Sequence, residues 1–319
     1  MKETQIGSFI ELVENAIKEY WDLDALTDYE GATLQYKDVA RKIEKLHIIF
    51  NEAGIEKGDK IAVCGRNSSQ WAAAFLAVLT YGAVAVPILH EFTPEQIYNI
   101  LEHSESKLFF VGDQVWPDLN ADKMPGVQGI FGLHDFSLMV SRSETITNAR
   151  ERLNELFGKK FPKNFRKEHV SYRRDEHEEL AMINYTSGTT SQSKGVMIPY
   201  RAVWSNMDFA NGALGMSIHR GSKVVSILPM AHMYGMAFEF LYEFISGTHV
   251  FFLTKNPSPT IIFNAFSRIK PDLIVSVPLI LEKALRRAVL PKLQTPKMKL
   301  LMRMPYVKDK VITAIGNQL

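Results

Sequence analysis

The sequence predicts an α/β protein with two mostly parallel sheets flanked by helices. Short apolar runs such as KIAVCG, AVAVPI and KLFFVG alternate with helix-length segments over residues 36–112, the pattern of parallel strands covered on both faces. A second alternating series starts at LAMINY, residues 180–185. With 319 residues, 46% of them hydrophobic, the chain can fill one large or two moderate cores. The expected division is a first α/β subdomain over 1–179, with a peripheral stretch near 112–179, and a second over 180–319.

Val39, Ile43, Leu46 and Phe50 recur at helical spacing, so a helix is predicted from about Tyr36 to Ala53, closed by Gly54. KIAVCG reads as a strand, followed through the N-cap cluster Asn67-Ser68-Ser69 by a helix ending near Tyr81. AVAVPI, a helix opened by Thr93-Pro94, and KLFFVG complete β-α-β-α-β. Residues 112–179 carry a weaker signal: a polar helix rich in Arg and Glu, then a basic patch of Lys159, Lys160, Lys163, Arg166 and Lys167. The patch lacks an apolar face and is followed by DEHEE, so a solvated linker is favoured over contact with acidic lipid. After LAMINY the series continues through VMIPY, a helix from Arg201, KVVSILP, a helix after His232, THVFFL, a helix from Pro259, DLIVSVP and a helix through Arg287.

Composition excludes several functions. Lys+Arg 37 against Asp+Glu 35 leaves a net charge of +2, no general attraction for nucleic acid. The single cysteine, Cys64, rules out an internal disulfide, suits a reducing cytoplasm and reads as a small core residue. The acidic N-terminal stretch lacks the apolar core of an export signal. Trp71 to Leu89 is uncharged, but Tyr81-Gly82 and Pro87 divide it into a helix and a strand, so membrane contact is at most peripheral. A homo-oligomer is compatible with all of this.

The run from Tyr185 to Gly195, YTSGTTSQSKG, gathers hydroxyls, glycines and one lysine. Gly188 and Gly195 are expected to permit positive φ, so that successive N–H groups point at one anion. Ser187, Thr189, Thr190 and Ser191 add donors, and Lys194 adds a mobile charge. The alternative is a Ser/Thr-rich surface turn, which the strand-like flanks disfavour. A Walker loop is excluded, since Ser193 precedes the lysine where glycine is needed and Gly195 follows it, which argues against a kinase or ATPase of that type. Leu228-Pro229-Met230-Ala231-His232 follows a predicted strand and starts a helix, placing an imidazole at the carboxyl end of the strand, where open α/β sheets bind ligands.

These residues carry a resemblance. The loop resembles the phosphate loop of the adenylate-forming (acyl-CoA synthetase, AMP-binding) superfamily, usually [YF]TSGTTGxPKG, with Ser191 in place of its glycine and Ser193 in place of its proline. LPMAH resembles that family's LPLxH segment, most like the long-chain fatty acid–CoA ligases. Residues 33–88 resemble its opening segment, and IKPDLIVSVPLILEKAL its VPRxxEK unit, although Leu279 replaces the arginine and no contact is assigned there.

The resemblance implies the N-terminal lobe of the adenylate-forming fold, truncated before the family's adenine, ribose and C-terminal lysine motifs, and a fragment inactive alone. It implies activation of a long-chain fatty acid with ATP, Mg²⁺ and coenzyme A, to acyl-AMP and then acyl-CoA. Thr186 to Thr190, Ser191, Lys194 and Gly195 would hold the nucleotide phosphates, and Thr186 would join the magnesium shell. Lys194 and His232 would be catalytic, with His232, Tyr234, Gly235 and Met236 facing the acyl substrate. Met230, Met233 and Phe238 would line the same tunnel, although each apolar residue is equally compatible with ordinary core. A ligase for a medium-chain or aryl acid, an acyl-AMP ligase, and a non-enzymatic acyl- or nucleotide-binding module are the alternatives.

Overall fold

The computed structural model describes residues 7–186, 194–255 and 258–278, with isolated positions 282, 286, 294 and 295 beyond them. Helix α1, Phe9–Glu19, is capped by Ser8, whose hydroxyl accepts from the Glu11 N–H, and it buries Phe9, Val13 and Ile17. Strands β1, Asp24–Asp28, and β2, Thr33–Gln35, pair antiparallel. Helix α2, Tyr36–Glu52, turns its Val39, Ile43, Leu46 and Phe50 stripe inward, and Gly54 follows it at φ 67.

The predicted β-α-β-α-β unit is present as β3, Lys60–Cys64, α3, Ser69–Tyr81, β4, Val84–Ile88, α4, Pro94–His103, and β5, Ser106–Val111. Its signals act as expected. The Ser68 hydroxyl accepts from the Trp71 N–H, Gly82 ends α3 at φ 92, and Thr93 and Pro94 start α4. β3 pairs in parallel with both β4 and β5.

Then come β6, Gly129–Gly132, β7, Leu138–Ser141, α5, Glu144–Glu151, and α6, Leu153–Lys160. The expectation that 112–179 is peripheral needs correcting here: all of β6 is buried, and it extends the sheet in parallel beside β5. A four-residue strand containing two glycines leaves too short an apolar run to register in sequence. The basic patch is partly spent on ion pairs, with Lys159 on Glu155 at 2.6 Å and Lys160 on the buried Glu44 of α2 at 2.8 Å.

The remaining elements are β8, Leu180–Thr186, β9, Lys194–Pro199, α7, Tyr200–Leu214, β10, Lys223–Ser226, and α8, Met233–Met236. One turn of π-helix, Ala237–Leu241, joins α8 to α9, Tyr242–Ile245, before β11, His249–Phe252, and α10, Pro259–Ile269. DLIVSVP forms no strand among its described residues, only an isolated parallel bridge between Leu273 and Val224. The predicted helix through Arg287 falls largely outside the described residues.

The described residues form two sheets, mostly parallel, as predicted, with strand orders β7-β6-β5-β3-β4-β8-β9 and β10-β11-β1-β2. Their membership crosses residue 179. β8 and β9 complete the larger sheet, while the early hairpin β1-β2 joins β10 and β11, with β1 parallel to β11. α3 touches β3 and β4 of one sheet and β1 of the other. A helix between two sheets has no solvent face, which explains the run of buried apolar residues from Trp71 to Leu79. No helix among the described residues is long and apolar enough to cross a membrane.

Candidate functional site

The described ends of the predicted phosphate run close the antiparallel pair of β8 and β9. β8 and β9 are antiparallel, with Tyr185 opposite Gly195 and Thr186 opposite Lys194 in the last register pair. Ser187, Gly188, Thr189, Thr190, Ser191 and Ser193 lie outside the described residues. The two described ends are exposed, so the Thr186 hydroxyl and the Lys194 ammonium stand together at the mouth of the loop. β8 runs parallel to β4, which puts these ends at the carboxyl edge of the larger sheet.

One expectation fails at the hairpin. Gly195 is not among the positive-φ glycines; it is an extended strand residue. Glycine is needed there for space, because a Cβ would lie 2.8 Å from Ile183 Cγ2 and 3.1 Å from the Tyr185 ring. Tyr185 is buried and its hydroxyl shares a 2.7 Å hydrogen bond with His103 Nδ1, which fixes the ring that crowds Gly195.

The second motif follows β10, in the smaller sheet. Ile227 and Leu228 are buried, Met230 is 1% exposed, and His232 stands exposed as the N-cap residue of α8. Of the residues assigned to the acyl side, Tyr234 is 48% exposed and Met236 is wholly buried in the main core. Gly235 is buried where α8 approaches its own leader: a Cβ there would lie 2.8 Å from the Pro229 carbonyl oxygen and 3.0 Å from Leu228 Cβ. The aromatic rings of Tyr234 and Phe238 lie 5.2 Å apart, and Phe238 and Phe209 of α7 lie 6.3 Å apart, so an aromatic cluster borders the surface beside His232.

Side chains that the sequence reading did not select bring the two motifs together. Asn184 of β8 donates Nδ2 to the Ala231 carbonyl at 2.9 Å. Asn67, read from sequence only as part of an N-cap cluster, leaves that task to Ser68 and reaches the other sheet instead. Its Nδ2 donates to the Leu228 carbonyl at 2.7 Å and to Ser226 Oγ at 3.1 Å, and its Oδ1 accepts from the Met230 N–H at 2.8 Å. Glu239 accepts from the Leu228 and Ile227 N–H groups. The available sequence signal was weak: polar residues inside otherwise apolar strands and helices.

Burial raises the Glu239 pKa to about 8, against the hydrogen bonds it accepts from Leu228, Ser226 and Ile227. One turn on, burial pushes Glu243 up to about 7; nearby Thr248 opposes this slightly, but neither carboxyl oxygen makes a hydrogen bond among the described residues. Cys64 is buried and burial pushes its thiol up, as suits a core residue. Among the described residues, no group of three or more His, Cys, Asp or Glu side chains could hold a metal ion.

Two sheets share the buried helix α3, with the exposed Thr186 and Lys194 at the carboxyl edge of one and the exposed His232 beyond the carboxyl end of β10 in the other. The chain belongs to the AMP-binding enzyme family, whose profile it matches over residues 13–307. It is 24% identical over 293 residues to the Drosophila melanogaster long-chain-fatty-acid–CoA ligase heimdall, covering 88% of this chain and 42% of that protein. It is 25% identical over 253 residues to the putative acyl–CoA ligase YdaB of Bacillus subtilis, covering 77% and 45%. Thus the chain spans about half the length of the curated relatives it matches. Its fold is that of the N-terminal domain of FACL13 from Mycobacterium tuberculosis, with a TM-score of 0.68 at 19% identity over 92% of this chain and 66% of that one. A red-emitting luciferase of Phrixothrix hirtus superposes with a TM-score of 0.76 at 16% identity, over 92% and 55%.

Proposed function

We propose that the protein carrying this chain activates a long-chain fatty acid with ATP, forming acyl-AMP and then acyl-CoA. The observation that carries this reading is the Asn184 to Ala231 hydrogen bond, which fastens β8, the strand ending at Thr186, to the residue before His232. A carboxylate is a poor acyl donor because its leaving group would be oxide. In the proposed first step a carboxylate oxygen bonds to the α-phosphorus and pyrophosphate departs. In the second, the coenzyme A sulfur bonds to the acyl carbon, AMP departs, and the thiol proton passes to solvent.

This chain supplies positioning and charge. Lys194 and the loop amides and hydroxyls of residues 187–191 neutralise charge on the β- and γ-phosphates as it builds. Mg²⁺, when bound with ATP, offsets triphosphate charge; the exposed Thr186 hydroxyl beside Lys194 fits one position in its shell, and a neutral hydroxyl fits no more than that. His232 borders the fatty acid carboxylate, with Tyr234, Gly235 and Met236 on the acyl side. The aromatic surface of Phe209, Tyr234 and Phe238 supports an apolar substrate over a polar one. A reducing cytoplasm is the compartment that the lone buried thiol suits.

The test is fatty-acid-dependent ATP–pyrophosphate exchange by the full-length protein, with acids of graded chain length, run beside this 319-residue chain. Exchange peaking with long acids supports the ligase reading, and a peak at shorter or aryl acids reassigns the substrate. No exchange with any carboxylate leaves an acyl- or nucleotide-binding module, with Ser191 and Ser193 as the altered loop positions.

A further inference from the structure

The segment Ile227 to His232 has no regular structure of its own between the end of β10 and the start of α8. Its shape is imposed from outside. Asn67 and Asn184 hold it at Leu228, Met230 and Ala231 from the larger sheet. The third hold comes from within the same helical segment that His232 starts. Glu239 lies in the π-helical turn, wholly buried, and its Oε2 accepts from the Leu228 N–H at 2.8 Å, the Ile227 N–H at 3.0 Å and Ser226 Oγ at 3.2 Å.

The loop is therefore closed at both ends by one element. His232 caps the helix, with its carbonyl accepting from the Met236 N–H at 2.8 Å, and seven residues later Glu239 reaches back to the strand end that precedes the loop. Glu239 Oε1 has no partner among the described residues, a costly arrangement for a buried carboxyl. A leucine would occupy this core position without that cost, but would leave the Ile227 and Leu228 N–H groups unpaired. π-turns insert a residue into a helix and re-aim the side chains around it, and they concentrate at functional sites.

We propose that Glu239 is a positioning residue for the adenylation reaction proposed above: by fixing Ile227 and Leu228 it sets the direction in which His232 points. The inference rests on that reading for its kinetic consequence, but not for its structural one. Because burial raises the Glu239 pKa to about 8, the group is largely an uncharged acid at neutral pH, and a glutamine amide matches it in shape and in acceptor oxygen.

The test compares Glu239→Gln, Glu239→Asp and Glu239→Leu in the full-length protein. Gln is expected to keep kcat for acid-dependent exchange within about three-fold, whereas Asp and Leu lower it about ten-fold or more with KM for ATP unchanged, as for a misaimed group remote from the phosphates. Asp keeps the carboxyl and withdraws it by one methylene, so it decides the matter even if Leu does not fold. A second readout needs no turnover: the rate at which diethylpyrocarbonate modifies exposed His232, followed by peptide mapping, should change in Asp and Leu and not in Gln, with exposed His177 as the internal standard. Wild-type kcat and wild-type His232 labelling in Asp or Leu overturn the proposal, as does a Gln variant as impaired as Leu. A wild-type protein without exchange defeats the functional reading alone, and the labelling still decides whether Glu239 orients the imidazole.

Discussion

Asn184 Nδ2 donates to the carbonyl of Ala231 at 2.9 Å, fastening the strand that enters the phosphate hairpin to the residue before His232. Both residues are buried, so the bond has little competition from water. Replacing Asn184 with leucine leaves the Ala231 carbonyl unpaired and should cost about 1–3 kcal/mol, read as a lower urea midpoint at unchanged slope. An unaltered midpoint would mean that the two motifs are not held together by this bond.

Lys194 faces Thr186 across the last described register pair of β8 and β9. In the full-length protein, Lys194→Ala should slow ATP–pyrophosphate exchange by about ten-fold or more, the usual cost of one charge-stabilising donor. Thr186→Ala should have a smaller effect, confined to low Mg²⁺. Equal exchange in Lys194→Ala and wild type would remove Lys194 from the mechanism.

Two glycines offer a contrast in packing. Gly235→Ala places a methyl group 2.8 Å from a backbone oxygen, so the turn must shift; the expected destabilisation is about 1–3 kcal/mol. Gly158, inside α6, has nothing among the described residues within 4 Å of its added Cβ. There alanine should stabilise by up to about 1 kcal/mol, through helix propensity alone. Thermal unfolding of the two variants should move in opposite directions.

Glu243 predicts a pH dependence. Its folded pKa of about 7 lies above the ordinary 4.5, so between those values the folded state binds more protons than the unfolded one. Its contribution to stability is fully present below pH 4.5, falls as pH rises through that window, and levels off above 7. Glu243→Gln removes this slope. The variant should therefore gain on wild type by about 3 kcal/mol between pH 4.5 and 8, measured by urea unfolding at each pH. Parallel curves for the two proteins would place the wild-type carboxyl in water.

Much of the local structure was legible because its causes are local. Ser68, Gly82, Thr93 and Pro94 bound their helices through hydrogen bonds and dihedral limits that lie within a few residues. The run from Tyr185 to Gly195 and the LPMAH segment stand out in the sequence because hydroxyls, a lysine and a histidine gather there at predicted strand ends. Asn67, Asn184 and Glu239 do not, because nothing near them in sequence says what they bond: Asn67 and Leu228 are 161 residues apart along the chain. β6 escaped notice because a four-residue strand makes almost no pattern.

By itself, then, the sequence determined where most strands and helices begin and end, and that there are two mostly parallel sheets. Tertiary structure alone decided that β8 and β9 complete the first sheet and that β1 and β2 serve the second. An apolar run has the same periodicity whichever strand it pairs with, and its neighbour is chosen by the packing of the whole layer. The uncharged stretch from Trp71 shows the same division of labour: Tyr81-Gly82 and Pro87 divide it into a helix and a strand in the sequence, and only the tertiary structure decides that the helix, α3, lies between the two sheets.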